Sequence, residues 1–143
     1  MTFLLDSNVL IYAHCEDMVQ HGKVAAWLAE VINKGDSVIL TETVVLSFYR
    51  IASNQKAMSN PLTVADIAVA VENLLAQANV VLFTPTGDHF RHFEQFCRKH
   101  SISSRLVMDA HLCVVALASG STVATCDKDF KKFPHVRTFN PSI

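Results

Sequence analysis

Three acidic residues each follow the end of a short apolar run. Asp6 comes directly after Phe3–Leu5, Glu42 lies two positions past Leu40, and Asp127 follows Val123-Ala124-Thr125-Cys126. A fourth, Asp109, sits inside the apolar stretch Leu106–Ala118. An ionised carboxyl in such surroundings needs a partner, because removing it from water is costly unless the charge is paired. Carboxylates gathered at one place repel one another, by about 4 kcal/mol for two charges roughly 4 Å apart at an effective dielectric near ~20. Folding alone disfavours such a cluster. A hard divalent cation reverses the sign, since Mg²⁺ and Mn²⁺ take oxygen ligands and are held by a few carboxylates together with waters and substrate phosphates. The chemistry that fits is hydrolysis of a phosphodiester by a water that the ion activates, with no nucleophilic side chain required. Asp127 or the neighbouring Asp129 would assist in activating that water. Each acid also has a local reading. Asp6 suits the N-cap of a helix starting near Asn8, Asp127 the cap of the turn leading to Phe130, and Asp109 an ion pair with Arg105 one turn earlier.

The acids converge only if the apolar runs end on one side of the molecule. Phe3–Leu5, Ser37–Leu40, Val80–Phe83 and Thr122–Thr125 read as strands, and Pro134–Ile143 as a further edge strand. Between them lie helical patterns. Ser7-Asn8 opens the first; Val24, Trp27, Leu28, Val31 and Ile32 mark the second, closed by Lys34-Gly35-Asp36; and Val44, Val45, Phe48, Ile51 and Ala52 mark the third. Thr63-Val64-Ala65-Asp66 has the form of a capping box ahead of the stripe Val64, Ile67, Ala68, Val71, Leu74 and Leu75. Asp88–His100 is read as a helix with Phe90, Phe93 and Cys97 inward, and Arg105–Ala118 as a helix buried within the domain. Ser53–Asn60 is the longest loop. Alternation of this kind implies one α/β domain over residues 1–143, with a mainly parallel sheet of four to five strands and helices on both faces. Ligands of such sheets bind beyond the carboxyl ends of the strands, where Asp6, Glu42 and Asp127 stand.

Bulk properties narrow the class without choosing the ligand. Half the residues are apolar and 17% are charged, which excludes disordered and fibrous chains. Twelve basic against thirteen acidic residues create no global positive field, so nucleic acid would have to be met by a local patch. Cys15, Cys97, Cys113 and Cys126 form no C-x-x-C pair and fit free thiols in a reducing compartment. The N-terminal MTFLLDSNVLIY lacks an early basic residue and is interrupted by Asp6, so a cytoplasmic protein with no membrane segment is expected.

The motifs LLDSNVLIY, VVLSFYRIASN, LVMDAHLCVVAL and TCDKDF, in this order and at these intervals, resemble the PIN-domain ribonuclease toxins of the VapC type from bacterial toxin–antitoxin pairs. The likeness runs over nearly the whole chain, taking in NPLTVADIA and the closing FPHVRTFNP. It implies a PIN-like α/β fold, Mg²⁺ as cofactor with Mn²⁺ as a substitute, endonuclease activity on RNA, a homodimer, and neutralisation by a cognate antitoxin. Matched residue by residue, Asp6, Asp109 and Asp127 are the metal-binding and catalytic acids, and Asp129 is an accessory acid. Asn8 and Thr125 are the polar residues that orient them. The pattern departs at the second acid, where the family usually carries glutamate and this chain has Ser47. Glu42 stands in only if its backbone is still a turn, because five residues correspond to about 140° around an ideal helix; otherwise it is a solvated acid at a helix start.

Other features carry weaker signals. Lys128, Lys131 and Lys132 follow Asp127 closely and are the best candidates for RNA backbone contacts, with Arg50, Lys56, Arg91, Arg98, Lys99 and Arg105 behind them. His89 and His92 have metal-pair spacing but no third ligand nearby, so a solvated face is expected, and His111 reads as a hydrogen-bonded core or interface residue. Two other functions compete. Ser47 in place of the acid favours a weakly active or inactive domain that binds metal and acts through RNA or a partner. A phospho-acceptor signalling domain would need an aspartate at the end of the third strand, where this chain has Thr84-Pro85-Thr86.

Overall fold

A computed structural model describes all residues 1–143. Five parallel strands, β1 (Thr2–Leu5), β2 (Ser37–Thr41), β3 (Val80–Phe83), β4 (Thr122–Ala124) and β5 (Thr138–Phe139), lie in the order β3-β2-β1-β4-β5. Six helices connect them: α1 (Ser7–His14), α2 (His21–Lys34), α3 (Glu42–Ala52), α4 (Val64–Leu75), α5 (Gly87–Lys99) and α6 (Val107–Ser119). Parallel neighbours require crossovers, and crossovers are almost always right-handed. The chain steps one way from β1 to β3 and then back past β1 to β4, so α1–α4 cover one face and α5–α6 the other. The packing agrees, with α1 against α2 and α3, α3 against α4, and α5 against α6.

The reversal also places the site. β1 lies between β2 and β4, so the carboxyl ends of all three strands meet at one edge, with Asp6 immediately past the central one. Beneath that edge the strands are dry: Leu4, Leu5, Val38, Leu40, Val123 and Ala124 are fully buried, and Phe48 of α3 and Phe130 beyond β4 close the core around them. Burying one such side chain stabilises by about 1.5–3 kcal/mol, which holds the loops at this edge to a rigid base.

Several expectations need correction. Phe90 is 57% exposed, and the inward face of α5 runs instead through His89, Phe93, Phe96, Cys97 and His100. His89 occupies the core-facing position that a reading by hydropathy assigns to an apolar residue. The helix expected from Arg105 begins at Val107, after a single 3₁₀ turn at Ser104–Leu106, and its opening residues Val107 and Met108 are exposed. Asp109 therefore lies in the first turn of α6, just ahead of the buried part of that helix at Ala110 and Leu112–Ala116. Val64 is 61% exposed and leaves the buried stripe of α4, where Ile67, Val71 and Leu74 remain. Of the capping box, the bond from the Asp66 backbone N–H to Thr63 Oγ1 forms, at 3.1 Å. The edge strand is only two residues long.

Candidate functional site

Asp6 is 8% exposed and caps α1, its Oδ1 accepting the Ser7 N–H at 2.7 Å. Its Oδ2 accepts from the Thr125 hydroxyl at 2.7 Å and from Asn8 Nδ2 at 3.1 Å, leaving Oδ1 with one acceptor position unused. Thr125 also accepts the Asp127 N–H at 3.0 Å and Asn8 Nδ2 at 3.3 Å, and Asn8 Oδ1 accepts the Cys126 N–H at 3.1 Å. This network joins β1 to the loop after β4 across more than a hundred residues of sequence. It fixes Asp6 and Asp127 relative to each other through short bonds to rigid backbone. The capping role and the place in the cluster coexist in both acids: Asp127 Oδ1 accepts the Asp129 N–H at 2.8 Å and starts the 3₁₀ turn Lys128–Lys132.

Thr125→Val keeps the volume but removes the hydroxyl that serves Asp6, Asn8 and Asp127 together. It is expected to cost about 1–3 kcal/mol in urea unfolding, the penalty for leaving buried polar groups unpaired. Loss of such a supporting partner should also slow the site's reaction about 10–100-fold. Thr125→Ser should recover most of both; loss in Thr125→Ser with none in Thr125→Val would show that the methyl, not the hydroxyl, matters.

Carboxylate oxygens of Asp109, Asp127 and Asp129 lie within 4.8 Å of one another. Burial pushes the Asp109 carboxyl up to about 6, with the charges of Asp6, Asp127 and Asp129 adding to the shift and Arg105 opposing it. The Asp6 carboxyl is raised too, chiefly by burial, against the lowering effect of its hydrogen bonds. Four acids thus share one electrostatic environment, and two of them hold their protons more tightly than an ordinary carboxyl. Oxygens alone at this spacing suit a hard divalent cation. Arg105 pairs with Asp129 Oδ2 at 2.8 Å rather than with Asp109, and Lys132 stands 3.5 Å from Asp129 Oδ1. Tyr12 of α1, which the sequence reading passed over, is close enough for the charges of Asp127 and Asp6 to raise its hydroxyl, after burial as the main cause.

Glu42 does not join this group. α3 begins at Glu42 itself, capped by Thr41 Oγ1, which accepts the Val44 N–H at 3.2 Å. Once Glu42 is helical it points well round the helix from Ser47. It is exposed and faces a neighbouring cleft of about 280 Å³ lined by Phe83, Phe90, Phe93 and His111. Ser47 instead lines a cavity of about 180 Å³ together with Asp6, Asp109 and Arg50. Lys128 and Lys131 border a smaller pocket on the far side of Asp127, beside Thr138 and Asn140. His89 is buried and meets His111 at 3.0 Å, Nε2 to Nδ1, so the solvated reading of His89 gives way to a paired core histidine and His111 is hydrogen-bonded as expected. The largest concavity, about 420 Å³ between α2 and α4, has Asp66 as its single acid and no part in the carboxylate cluster.

Comparison with known proteins follows from this geometry. The PIN domain family profile matches residues 3–136. The chain belongs to the PIN-domain family. Over 141 residues this PIN domain is 30% identical to Ribonuclease VapC31 of Mycobacterium tuberculosis, covering 99% of each chain. It is 28% identical over 137 residues to Ribonuclease VapC43 of the same species, covering 96% of this chain and 93% of the relative. Its fold matches a chain of VapBC2 from Rickettsia felis, solved bound to a promoter DNA fragment, with a TM-score of 0.70 at 13% identity over 98% of each chain. It also matches VapC20 of M. tuberculosis, described as a Sarcin-Ricin loop cleaving toxin, with a TM-score of 0.68 at 16% identity, covering 90% of this chain and 92% of that one.

Proposed function

We propose that this PIN domain is a metal-dependent endoribonuclease acting as the toxin of a toxin–antitoxin pair. Membership among chains named VapC ribonucleases supports the reaction class, and full-length coverage means that no large part of those relatives lacks a counterpart here. The observation that carries the mechanism is the joint presence of Asp6, Asp109, Asp127 and Asp129 at one sheet edge, with Asp109 raised to about 6 by burial and by the charges of the other three.

Asp109 and Asp127 would hold Mg²⁺ or Mn²⁺, with Asp6 as a further acid and Asp129, paired with Arg105, as an accessory. Bound there, the ion supplies Lewis-acid activation of water and stabilisation of the departing oxygen. The chain's own part is positional. Thr125 and Asn8 hold Asp6 and Asp127 in place, so no reorganisation of the carboxylates is needed when RNA arrives. Burial of Asp6 and the apolar floor of β1, β2 and β4 lower the local dielectric, which strengthens every charge interaction at the edge. Asp127, the exposed acid of the set, is placed to accept a proton from attacking water. Glu42 has no role in this account.

The partners proposed are RNA and an antitoxin, the latter supported by likeness to chains solved as VapBC assemblies. A homodimer is proposed as the working assembly, with exposed Leu46 on α3 and Val64 and Val69 on α4 available as apolar contacts. No helix is long and apolar enough to cross a membrane, and four free cysteines support action in the reducing cytoplasm. Incubating the purified protein with total RNA tests the reading. Discrete cleavage products in Mg²⁺ or Mn²⁺ and none in EDTA are expected. Intact RNA in every metal would instead favour a domain that binds without cutting, the reading that Ser47 in place of an acid motivates.

A further inference from the structure

Four of the five arginines are engaged. Arg91 pairs with Asp88, Arg98 with Glu94, Arg105 with Asp129, and Arg137 donates to the Gly120 carbonyl. Arg50 alone has no acceptor in the chain, although its guanidinium offers five N–H donors in a planar fork. It is also the only basic residue lining the cavity that holds Asp6 and Asp109. Ser47 and Arg50 lie three residues apart, so they share one face of α3 and form one wall of that cavity. The α3 wall therefore carries a free positive charge and no carboxylate.

A cation in the last turn of a helix is favoured by the macrodipole wherever it points. That effect accounts for a basic residue at the end of α3 but not for its direction into the acidic cavity, nor for the lack of an ion pair with acids so near. Arg105, rather than Arg50, is the cation that offsets Asp109. Arg50, an exposed residue, thus lines the same cavity of about 180 Å³ as Asp6 and Asp109, the volume of about six waters. A wall with that charge draws an anion, and a planar fork of donors matches the paired oxygens of a phosphate.

We infer that Arg50 is the phosphate-binding residue of this site, receiving the backbone phosphodiester of bound RNA across the cavity from Asp6 and Asp109. The assignment rests on the ribonuclease reading above and deepens it. It adds α3 to the RNA contacts expected of Lys128 and Lys131, whose own pocket is lined by Asp127, and of Lys132, which stands 3.5 Å from Asp129 Oδ1. It also gives the Ser47 position a sense: an acid there would sit one turn from Arg50 and neutralise it.

The test measures binding of a fluorescent single-stranded RNA by anisotropy over a range of KCl in Mg²⁺, with Asp109→Asn in every protein to prevent cleavage. Arg50→Gln is expected to weaken binding about tenfold, the size of one lost charge-assisted contact. It should also flatten the slope of log affinity against log salt by about 0.7, one phosphate's worth for a single strand. Arg50→Lys should keep the slope and recover only part of the affinity, because an ammonium cannot bind in fork fashion. Lys34→Gln, at the end of α2, should leave the slope unchanged. Arg50→Lys should melt as the parent does and Arg50→Gln at most about 3 °C lower, since only the charge at the helix end is lost. An unchanged slope for Arg50→Gln, with parent protein that binds and cuts RNA, overturns the assignment alone. A parent that neither binds nor cuts RNA overturns the ribonuclease reading and this assignment with it.

Discussion

Asp109→Asn should lower the initial rate of RNA cleavage in saturating Mg²⁺ by at least about a thousandfold, the ~4 kcal/mol associated with losing a ligand that fixes the ion. The same substitution should stabilise the metal-free protein. The two effects have one cause. Asp109 is half-buried and surrounded by Asp6, Asp127 and Asp129, and its carboxyl is raised to about 6 from an ordinary 3.8. At pH 7 it is ionised in both folded and unfolded chains but is less comfortable in the folded one. The full shift corresponds to ~3 kcal/mol. Discounted for partial exposure and solvent screening it becomes about 1 kcal/mol, which is ~3 °C in melting temperature for a domain of this size. A variant that loses activity and also melts lower would indicate that Asp109 supports the fold, contrary to this account.

The second large effect concerns pH and metal together. Because the folded Asp109 carboxyl titrates near 6 and the unfolded one near 3.8, the folded protein binds more protons between those values. Asp109's own contribution to the stability of the metal-free protein should therefore rise as pH falls from 7 through 6 toward 4. It is read as the difference between the parent and Asp109→Asn, because His14, His89 and His111, held below the usual imidazole range by burial, contribute the opposite slope. Metal reverses the trend. At a hundred times its dissociation constant a bound ion adds about 2.7 kcal/mol, or ~8 °C in melting temperature. Protons compete with it below about pH 6, where apparent affinity should fall about tenfold per pH unit. Melting curves with Mn²⁺ and with EDTA from pH 4.5 to 8 should thus diverge above pH 6 and converge below it. Parallel curves across the range would remove Asp109 from the metal site.

Much of this site was legible before any coordinates. Apolar runs ending in Asp6 and Asp127 mark strands that feed acids to one edge, because a parallel sheet brings every strand's carboxyl end to the same side. Asn8 and Thr125 came from the family pattern alone. The bond from Asn8 to Asp6 is local, but that from Thr125 to Asp6 and those joining Asn8 to Thr125 and Cys126 span residues too far apart in sequence for any local rule to pair them. Where the reading failed, the phase of a helix was at fault. Extending α3 back by two residues to Glu42 turned that acid away from the cavity. In α5 the core face includes His89, which hydropathy counts as polar, and its hydrogen bond to His111 could be seen only once α6 was packed beside it. Arg50 was one cation among many in sequence; its distinction lies in having no partner and in the cavity it lines, both properties of the assembled fold.

The central claim is that Asp109 and Asp127, steadied by Asp6 and its partners, hold the ion that cuts RNA. Crystals soaked in Mn²⁺ and measured at the manganese absorption edge test it most directly. The account predicts an anomalous peak between the carboxylates of Asp109 and Asp127, within reach of Asp6 Oδ1, that disappears in Asp109→Asn crystals. A protein that cleaves RNA in Mn²⁺ while its anomalous peak lies elsewhere, or persists in Asp109→Asn crystals, would contradict it.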